Sequence, residues 1–219
     1  MQRENGEMTV RKAVSVPDGV ITIAEHQPGP MDRARYDGIR TDMLARFAAV
    51  RAEMDKVALF DPAKHHLLGT SGTVTTLAGI ALGLPRYNRA KVDASWHESA
   101  SILKVAEDIA TADHAERAKL GCVGPERAEL IVPGCAIFSA IHAHWPCAEL
   151  RVADRGLREG MLREMIKLVY PKKPLFPPSW RMVICIPSSI SMYFCSSPLL
   201  VPLWYRPKYA VMMCYLANS

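Results

Sequence analysis

The stretch HHLLGTSGTVTTLAGIALGL, residues 65–84, contains the local pattern that decides the fold. A short apolar run comes first, and residues 69–75 then hold two glycines and four hydroxyl side chains. An apolar segment follows, and Gly83 and Pro85 are typical of the end of a helix. The pattern therefore predicts a strand, a glycine-rich turn and a buried helix, in that order.

The small residues of this turn allow two interpretations. Glycine lets the backbone come close to a ligand, and the N–H groups at the start of a helix can bind an anion such as a phosphate. Alternatively, the segment is a tight turn with a helix cap, because serine and threonine favour such positions. The letters alone leave both interpretations open; the residues that could cap are Ser71, Thr73, Thr75 and Thr76.

The composition indicates a folded protein without a strongly basic body. The 219 residues are 49% hydrophobic, which suffices for one sizeable domain or two small ones. The net charge is +5, but all 22 acidic residues lie at or before Glu164, together with 21 of the 27 lysines and arginines. The chain up to residue 166 is therefore nearly neutral, and no nucleic-acid partner is expected.

The cysteine pattern indicates neither a zinc site nor a disulfide framework. The chain has no CxxC pair and begins without a secretory leader, so we expect a reducing, cytoplasmic location. The six cysteines are Cys122, Cys135, Cys147, Cys185, Cys195 and Cys214.

Two segments before residue 65 have clear periodicity. Residues 9–26 alternate β-branched and polar residues around Pro17-Asp18-Gly19, which predicts two strands or a bulged hairpin. Residues 32–56 repeat apolar residues every three or four positions, which predicts an amphipathic helix.

After residue 84 the pattern predicts further strands and helices in alternation. Residues 87–120 indicate a short crossing followed by helical stretches with a charged face. A strand is predicted at Leu130–Val132 before a helix opened by Gly134, and another at Leu150–Val152 before a helix capped by Asp154. This alternation predicts an α/β fold with 65–70, 130–132 and 150–152 in one sheet.

The composition changes at Lys167. Residues 167–219 hold eight of the 16 prolines and no acidic residue, and they show neither helical nor strand periodicity. Residues 182–205 carry no charge and are long enough for a membrane span, but their three prolines and basic flanks favour an altered reading frame instead. No membrane partner is expected, and this Pro-rich apolar tail stays unassigned.

Three ordered motifs resemble the second half of the Ppx/GppA phosphatases, the exopolyphosphatases and guanosine pentaphosphate phosphohydrolases. They are GTSGTVTTLAGIALGLPRYNRAKV (69–92), GPERAELIVPGCAIF (124–138) and VADRGLREGML (152–162). A fourth segment, VSVPDGVITIAEH (14–26), resembles the strand region before them. The resemblance covers roughly residues 10–166, which it identifies as the second lobe of such a phosphatase domain.

The resemblance implies a partial actin-like fold of the sugar kinase and ribonuclease-H-like type, from a two-lobed enzyme that closes over polyphosphate or guanosine pentaphosphate. It implies that Mg²⁺ neutralises the phosphates and that a carboxylate activates water, which suits phosphoanhydride hydrolysis. A homodimer is compatible with it. The ligand-binding role carries over to one loop at the cleft: Gly69, Thr70, Ser71, Gly72 and Thr73.

The chain also departs from the family pattern. Pro133 lies inside a predicted strand, Asn88 stands where aspartate is usual, and Ala153 stands where serine is usual. In PGCAIF, which resembles the helix that connects the lobes, Gly134 and Ala136 suit either a rocking contact or ordinary close packing.

The N-terminal lobe with its aspartate-glycine loop, its catalytic glutamate and the second DxGGGS loop has no counterpart here. The general base is expected in that missing lobe, so the catalytic residues stay unassigned. This chain alone is expected to be inactive. Three glutamates are interpreted as surface or capping carboxylates: Glu25, Glu126 and Glu159.

Other reactive residue types favour structural roles. Adjacent histidines diverge on a strand and i, i+2 histidines diverge on a helix, so no metal site is predicted from His65 and His66 or from His142 and His144. Cys122 has no identifiable base for nucleophilic catalysis.

Two functions from different classes follow. The first is a fragment of a phosphoanhydride hydrolase that releases phosphate from inorganic polyphosphate or guanosine pentaphosphate. The second is a non-catalytic phosphate-binding or dimerisation module derived from that family.

Overall fold

A computed structural model describes residues 2–4, 7–169 and 217–218 of the chain. The strands are β1 (Gln2–Glu4), β2 (Glu7–Thr9), β3 (His65–Gly69), β4 (Trp96–Glu98), β5 (Glu149–Val152) and β6 (Ala217–Asn218). The helices are α1 (Val20–His26), α2 (Arg33–Asp55), α3 (Gly72–Ala81), α4 (Arg89–Val92), α5 (Ser99–Thr111), α6 (His114–Lys119), α7 (Ile131–His144) and α8 (Leu157–Val169), with a 3₁₀ turn at Pro125–Arg127.

The main sheet has the strand order β4-β5-β3-β6, while β1 and β2 form a separate antiparallel pair. β3 and β5 are parallel, and Gly69 is aligned with Val152. β4 is antiparallel to β5, and β6 is antiparallel to β3. The carboxyl ends of the two parallel strands therefore lie at the same edge of the sheet, where the glycine turn begins.

The helices form a layer around α7, which contacts α1, α2, α3 and α5. All of residues 131–141 are buried. The buried faces of α2 and α5 contribute Tyr36, Ile39, Met43, Phe47, Ile102, Ala106 and Ile109 to the same core. Leu67 and Leu150 of the sheet join this core, so α3 and α7 are held against a single apolar centre.

The predicted strand at Leu130–Val132 is wrong, because α7 begins at Ile131 and runs through it. Pro133 lies in the first turn of this helix, where its missing N–H has no intrahelical partner to lose. The helix is buried on every side, so its sequence has no amphipathic periodicity. The β-branched residues at its start therefore favoured a strand in the sequence-based prediction. The sheet joins 65–69 to 149–152 as predicted, without the third segment.

The predicted strands or hairpin over residues 9–26 are also wrong. Within this range only Thr9, the last residue of β2, is in a strand, and residues 20–26 form α1. Ile23 is buried, and Val20 and Ala24 pack beside it at helical spacing. Packing against α7 thus overrides the strand preference of the β-branched residues.

The remaining helices agree more closely with the sequence. The amphipathic helix predicted over 32–56 is α2, with Asp32 as its N-cap. The stretch 87–120 contains α4, α5 and α6, together with the short strand β4, which the sequence did not predict. The uncharged segment 182–205 lies outside the described residues. Among the residues that the structure does describe, no helix is both long and apolar enough to cross a membrane.

Candidate functional site

The glycine turn connects the end of β3 to the start of α3. Gly69 is the last strand residue, Ser71 is the N-cap and Gly72 is the first helical residue. The Ser71 hydroxyl accepts a hydrogen bond from the Val74 N–H at 3.2 Å. The capping interpretation therefore holds for Ser71, and it leaves the first N–H groups of the helix for another acceptor.

Close packing explains why residue 69 is a glycine, and it brings the Thr73 side chain against α7. A Cβ atom on Gly69 would lie 2.5 Å from Cγ1 of Val74, so no side chain fits there without a shift. A Cβ atom on Gly134 of α7 would lie 2.2 Å from Oγ1 of Thr73. The start of α3 is thus wedged against the start of α7, which agrees with the close-packing interpretation of Gly134.

Gly72 differs from these two glycines because it is exposed and open. Apart from its chain neighbours and the nearby backbone of α3, a Cβ atom built on Gly72 would meet no atom within 4 Å. The first N–H groups of an α-helix have no intrahelical acceptor, and the helix dipole adds a partial positive charge there. Gly72 and Thr73 supply the two N–H groups that precede the capped Val74, so this end of α3 can accept an anion from solvent.

The loop also contains a polar atom without a partner in the described structure. The Oγ1 atom of Thr70 is buried and makes no hydrogen bond. The Thr75 hydroxyl, by contrast, donates to the Gly72 carbonyl at 3.1 Å. Of the five residues predicted to bind phosphate, Gly69, Ser71 and Thr73 have structural roles, while Gly72 and Thr70 retain unused space or hydrogen-bonding capacity. Phosphate binding by the five stays a prediction.

The connection between β5 and α8 lies directly beside the loop. The Ala153 N–H donates to the Gly69 carbonyl at 2.9 Å and so extends the β3–β5 pairing. Asp154 is not the cap predicted for the following helix, since α8 begins only at Leu157. Its carboxylate instead accepts a hydrogen bond from the Tyr87 hydroxyl at 2.6 Å.

The segment 87–93, between α3 and β4, is tied to this connection by further bonds. Arg89 pairs with the Asp154 carboxylate at 3.4 Å and with Glu159 at the same distance. Burial, followed by the bond to Asp154, raises the pKa of Tyr87 to about 12, so the phenol remains a donor at neutral pH. Sequence reasoning missed these contacts of Tyr87 and Arg89 because the bonded residues are 65 to 70 positions apart.

The three glutamates interpreted as surface or capping carboxylates lie at exposed positions or at a helix start. Glu25 and Glu126 are exposed, on α1 and in the 3₁₀ turn. Glu159 accepts a hydrogen bond from the Gly156 N–H at 2.8 Å at the start of α8, which is the predicted capping role. Asn88 caps α4 by accepting from the Ala90 N–H, as the usual aspartate could.

The histidines bind separate partners rather than a common centre. His65 contacts the Asp61 backbone, His66 packs edge-on against Trp96, and the other two donate a ring N–H to backbone carbonyls. Those two carbonyls are Cys147 O for His142 and Leu44 O for His144. Burial raises the pKa of the Cys122 thiol, and its Sγ donates to the Leu84 carbonyl.

The described residues do not build a Mg²⁺ cage. Among them, no three histidine, cysteine, aspartate or glutamate side chains converge on one point. Near the loop, the Asp154 carboxylate is held by Tyr87 and Arg89.

A comparison with family models decides the identity of this strand–turn–helix unit and its surroundings. The model of the Ppx/GppA phosphatase family matches residues 5–169. The chain belongs to this family. The described helices and strands up to Val169 fall almost entirely within the match, which includes the loop and the α7 layer.

Solved structures agree with this assignment. The crystal structure of the Aquifex aeolicus family member has a TM-score of 0.60 and 25% identity, and the match covers 74% of this chain and 51% of that chain. Another structure of the Aquifex aeolicus enzyme has a TM-score of 0.57 and 26% identity, and the match covers 71% of this chain and 50% of that chain. The predicted α/β fold with actin-like Ppx/GppA relatives is thereby confirmed.

A structure described as an exopolyphosphatase-like protein has a TM-score of 0.56 at 19% identity, which shows the fold alone. It is matched over 69% of this chain and 49% of its own length. This chain thus spans about half the length of the solved relatives. No curated protein sequence matches it.

Proposed function

We propose that this chain binds a phosphate chain at the Gly69–Thr73 loop and supplies that half of a phosphoanhydride hydrolase. The substrates proposed are inorganic polyphosphate and guanosine pentaphosphate. The observation that carries the proposal is the N-terminus of α3 at Gly72, an exposed residue with open space beside its Cα, at the carboxyl ends of two parallel strands. Membership of the Ppx/GppA phosphatase family supports the same chemistry.

The chemistry of this loop suits substrate binding better than proton transfer. Hydrolysis of a phosphoanhydride needs neutralised phosphate oxygens and a water molecule positioned in line. Backbone N–H groups at α3 serve the first need. The nearby carboxylates of Asp93 and Asp154 each accept two hydrogen bonds or ion pairs, which hold neighbouring segments together, so we assign both to structural roles.

We therefore propose that the general base comes from the half of the relatives that this chain does not match. The ligands of any Mg²⁺ come from that half and from the substrate phosphates. The chain alone then binds but does not hydrolyse. The structural roles of Asp93 and Asp154 also favour a second candidate function, a non-catalytic phosphate-binding or dimerisation module. Such a module binds phosphate without a general base.

Phosphate release distinguishes the two candidates. The substrates are long-chain polyphosphate and guanosine pentaphosphate, each with Mg²⁺. The samples are this chain, a polypeptide carrying the unmatched half of the Aquifex aeolicus family member, and their mixture. Release in the mixture but in neither part supports the hydrolase half, and the preferred substrate then follows from the two rates.

The other outcomes are equally informative. Binding by this chain without release in the mixture supports the module. Absence of binding to either substrate by calorimetric titration contradicts both candidates. Release by this chain alone contradicts the assignment of its carboxylates to structural roles.

A further inference from the structure

Asp93 occupies a junction between the segment 87–93 and the β5–α8 connection. Its carboxylate accepts a hydrogen bond from the Asp154 N–H and another from Nε of Arg155, both at 2.9 Å. Asp93 is also the C-cap of α4, and its N–H donates to the carbonyl of Arg89, the first residue of that helix. Asp93 thus fixes the backbone of the β5–α8 connection just after β5 ends.

That backbone is the direct neighbour of the predicted phosphate loop. Ala153 precedes Asp154, and its N–H donates to the Gly69 carbonyl at 2.9 Å. Asp154 is held from the other side by the Tyr87 hydroxyl. An uninterrupted path of hydrogen bonds and one peptide unit therefore leads from Asp93 to Gly69, the residue at which β3 turns toward α3.

The backbone beside Asp93 is strained. Ala94 has φ +65°, and it is the one non-glycine residue with positive φ in the part of the chain that the structure describes. Such a conformation persists where the surroundings impose it. Here Asp93 is held by Asp154 and Arg155 on one side of Ala94, and the Ser95 carbonyl accepts the Val152 N–H on the other.

We propose that Asp93 is a positioning residue for the Gly69–Thr73 loop. It acts through Asp154 and Ala153 and fixes the direction of the Gly69 carbonyl, and with it the point at which the chain enters α3. The effect on phosphate affinity rests on the proposed function. The effect on the loop itself does not.

The matched control is Asp113, the N-cap of α6. Its carboxylate accepts from the Glu116 N–H at 2.7 Å, and the Glu116 carboxylate accepts from the Asp113 N–H at 2.9 Å. The Asp113 carboxylate thus accepts one backbone hydrogen bond, as Asp93 does from the Asp154 N–H, but within α6 and its cap. Asp113→Ala reports what the loss of a bonded carboxylate does to the whole fold.

The experiment measures amide hydrogen exchange at Ala153 and in residues 69–75 for the wild type, Asp93→Ala, Asp93→Asn and Asp113→Ala. Hydrogen bonds to a charged group are worth enough that Asp93→Ala should speed exchange at Ala153 about tenfold or more. Asp93→Asn keeps one acceptor oxygen for the Asp154 N–H, so it should restore part of the protection. Asp113→Ala should leave these amides unchanged.

Calorimetric titration with pyrophosphate, with and without Mg²⁺, is run on the same four proteins. Asp93→Ala should weaken binding about tenfold while Asp113→Ala does not, because only the first disturbs the loop. Unchanged exchange in Asp93→Ala, or an equal change in Asp113→Ala, overturns the inference. A wild type that does not bind pyrophosphate overturns the proposed function instead, and the exchange data still decide the role of Asp93.

Discussion

The layer around α7 and the edge of the sheet at residues 69–73 are held together in different ways. Within α7 every residue from 131 to 141 is buried, and Ser139 in this stretch forms a buried hydrogen bond with the Tyr36 hydroxyl at 2.8 Å. The edge is half-exposed, and hydrogen bonds connect its segments across more than 60 positions of the chain. Apolar burial therefore stabilises the first region, and polar geometry shapes the second.

This difference separates stability from binding. Apolar burial contributes most of the free energy of folding, so changes near α7 should act on unfolding. A half-exposed loop contributes less, and changes there should act on ligands. The two regions touch at Thr73 and Gly134, where a change should affect both.

The largest effect is expected for Phe138→Ala in α7. The side chain is 2% exposed, and removal of a buried phenyl ring typically costs about 3–5 kcal/mol through lost burial and the cavity left behind. Chemical denaturation should show a loss of this size. A loss under about 1 kcal/mol would mean that α7 is not the centre of the core.

A smaller effect is expected for Gly134→Ala, at the contact between the two regions. The added methyl group would lie 2.2 Å from Oγ1 of Thr73, and overpacking of this kind costs about 1–3 kcal/mol. The double variant Thr73→Ala/Gly134→Ala removes the two nearest atoms and should recover part of the stability. Additive losses in the double variant would show that the two residues do not interact.

The sequence predicted the polar edge better than the layer around α7. The strand, turn and helix of residues 65–81 have strong local signals: an apolar run, two glycines and an N-capping serine. α7 has no such signal, since a helix buried on all sides has no polar face, and α1 has only seven residues. Strands were predicted at Leu130–Val132, where α7 begins, and in residues 20–26, because local β-branched residues favour strands and the sequence does not display the tertiary contacts; from Gly134 onward α7 was predicted as a helix.

Within the candidate site, too, some features could be predicted from the local sequence and others could not. Ser71 as a cap and Gly72 as an open glycine follow from adjacent residues and helix geometry. The bonds of Asp93 and Asp154 could not be predicted, since they join residues brought together only by β3, β4 and β5. β4 itself has three residues, too few for a periodic pattern.

Ser71→Ala should have a moderate effect on stability. The variant loses the acceptor for the Val74 N–H, and loss of an N-cap side chain costs about 1 kcal/mol. Thermal unfolding should show this loss, and Ser71→Asp should restore the cap. A Ser71→Ala variant as stable as the wild type would indicate that the 3.2 Å bond does not persist in solution.

The smallest effect concerns pH and Glu159. Desolvation alone would raise the pKa of this carboxyl, but the N–H groups of Glu159 and Gly156 and the Arg89 guanidinium lower it overall from its usual 4.5. The ionised carboxylate therefore stabilises the fold above this pH, and the stabilisation is lost as the pH falls through the folded-state pKa. Glu159→Gln should melt below the wild type at neutral pH, and the difference should shrink in acid. A difference independent of pH would contradict this assignment.

The most direct test of the phosphate loop compares Gly72→Val with Gly38→Val in pyrophosphate titrations. At both glycines an added Cβ atom would meet no atom within 4 Å outside its chain neighbours and the nearby backbone of its own helix, but Gly38 lies on α2 and Gly72 lies at the exposed start of α3. Valine at position 72 would fill the space in front of the N–H groups, so we predict at least about tenfold weaker binding, with unfolding midpoints similar for both variants. Equal pyrophosphate affinity in the wild type, Gly72→Val and Gly38→Val would contradict the assignment of this loop as the phosphate site.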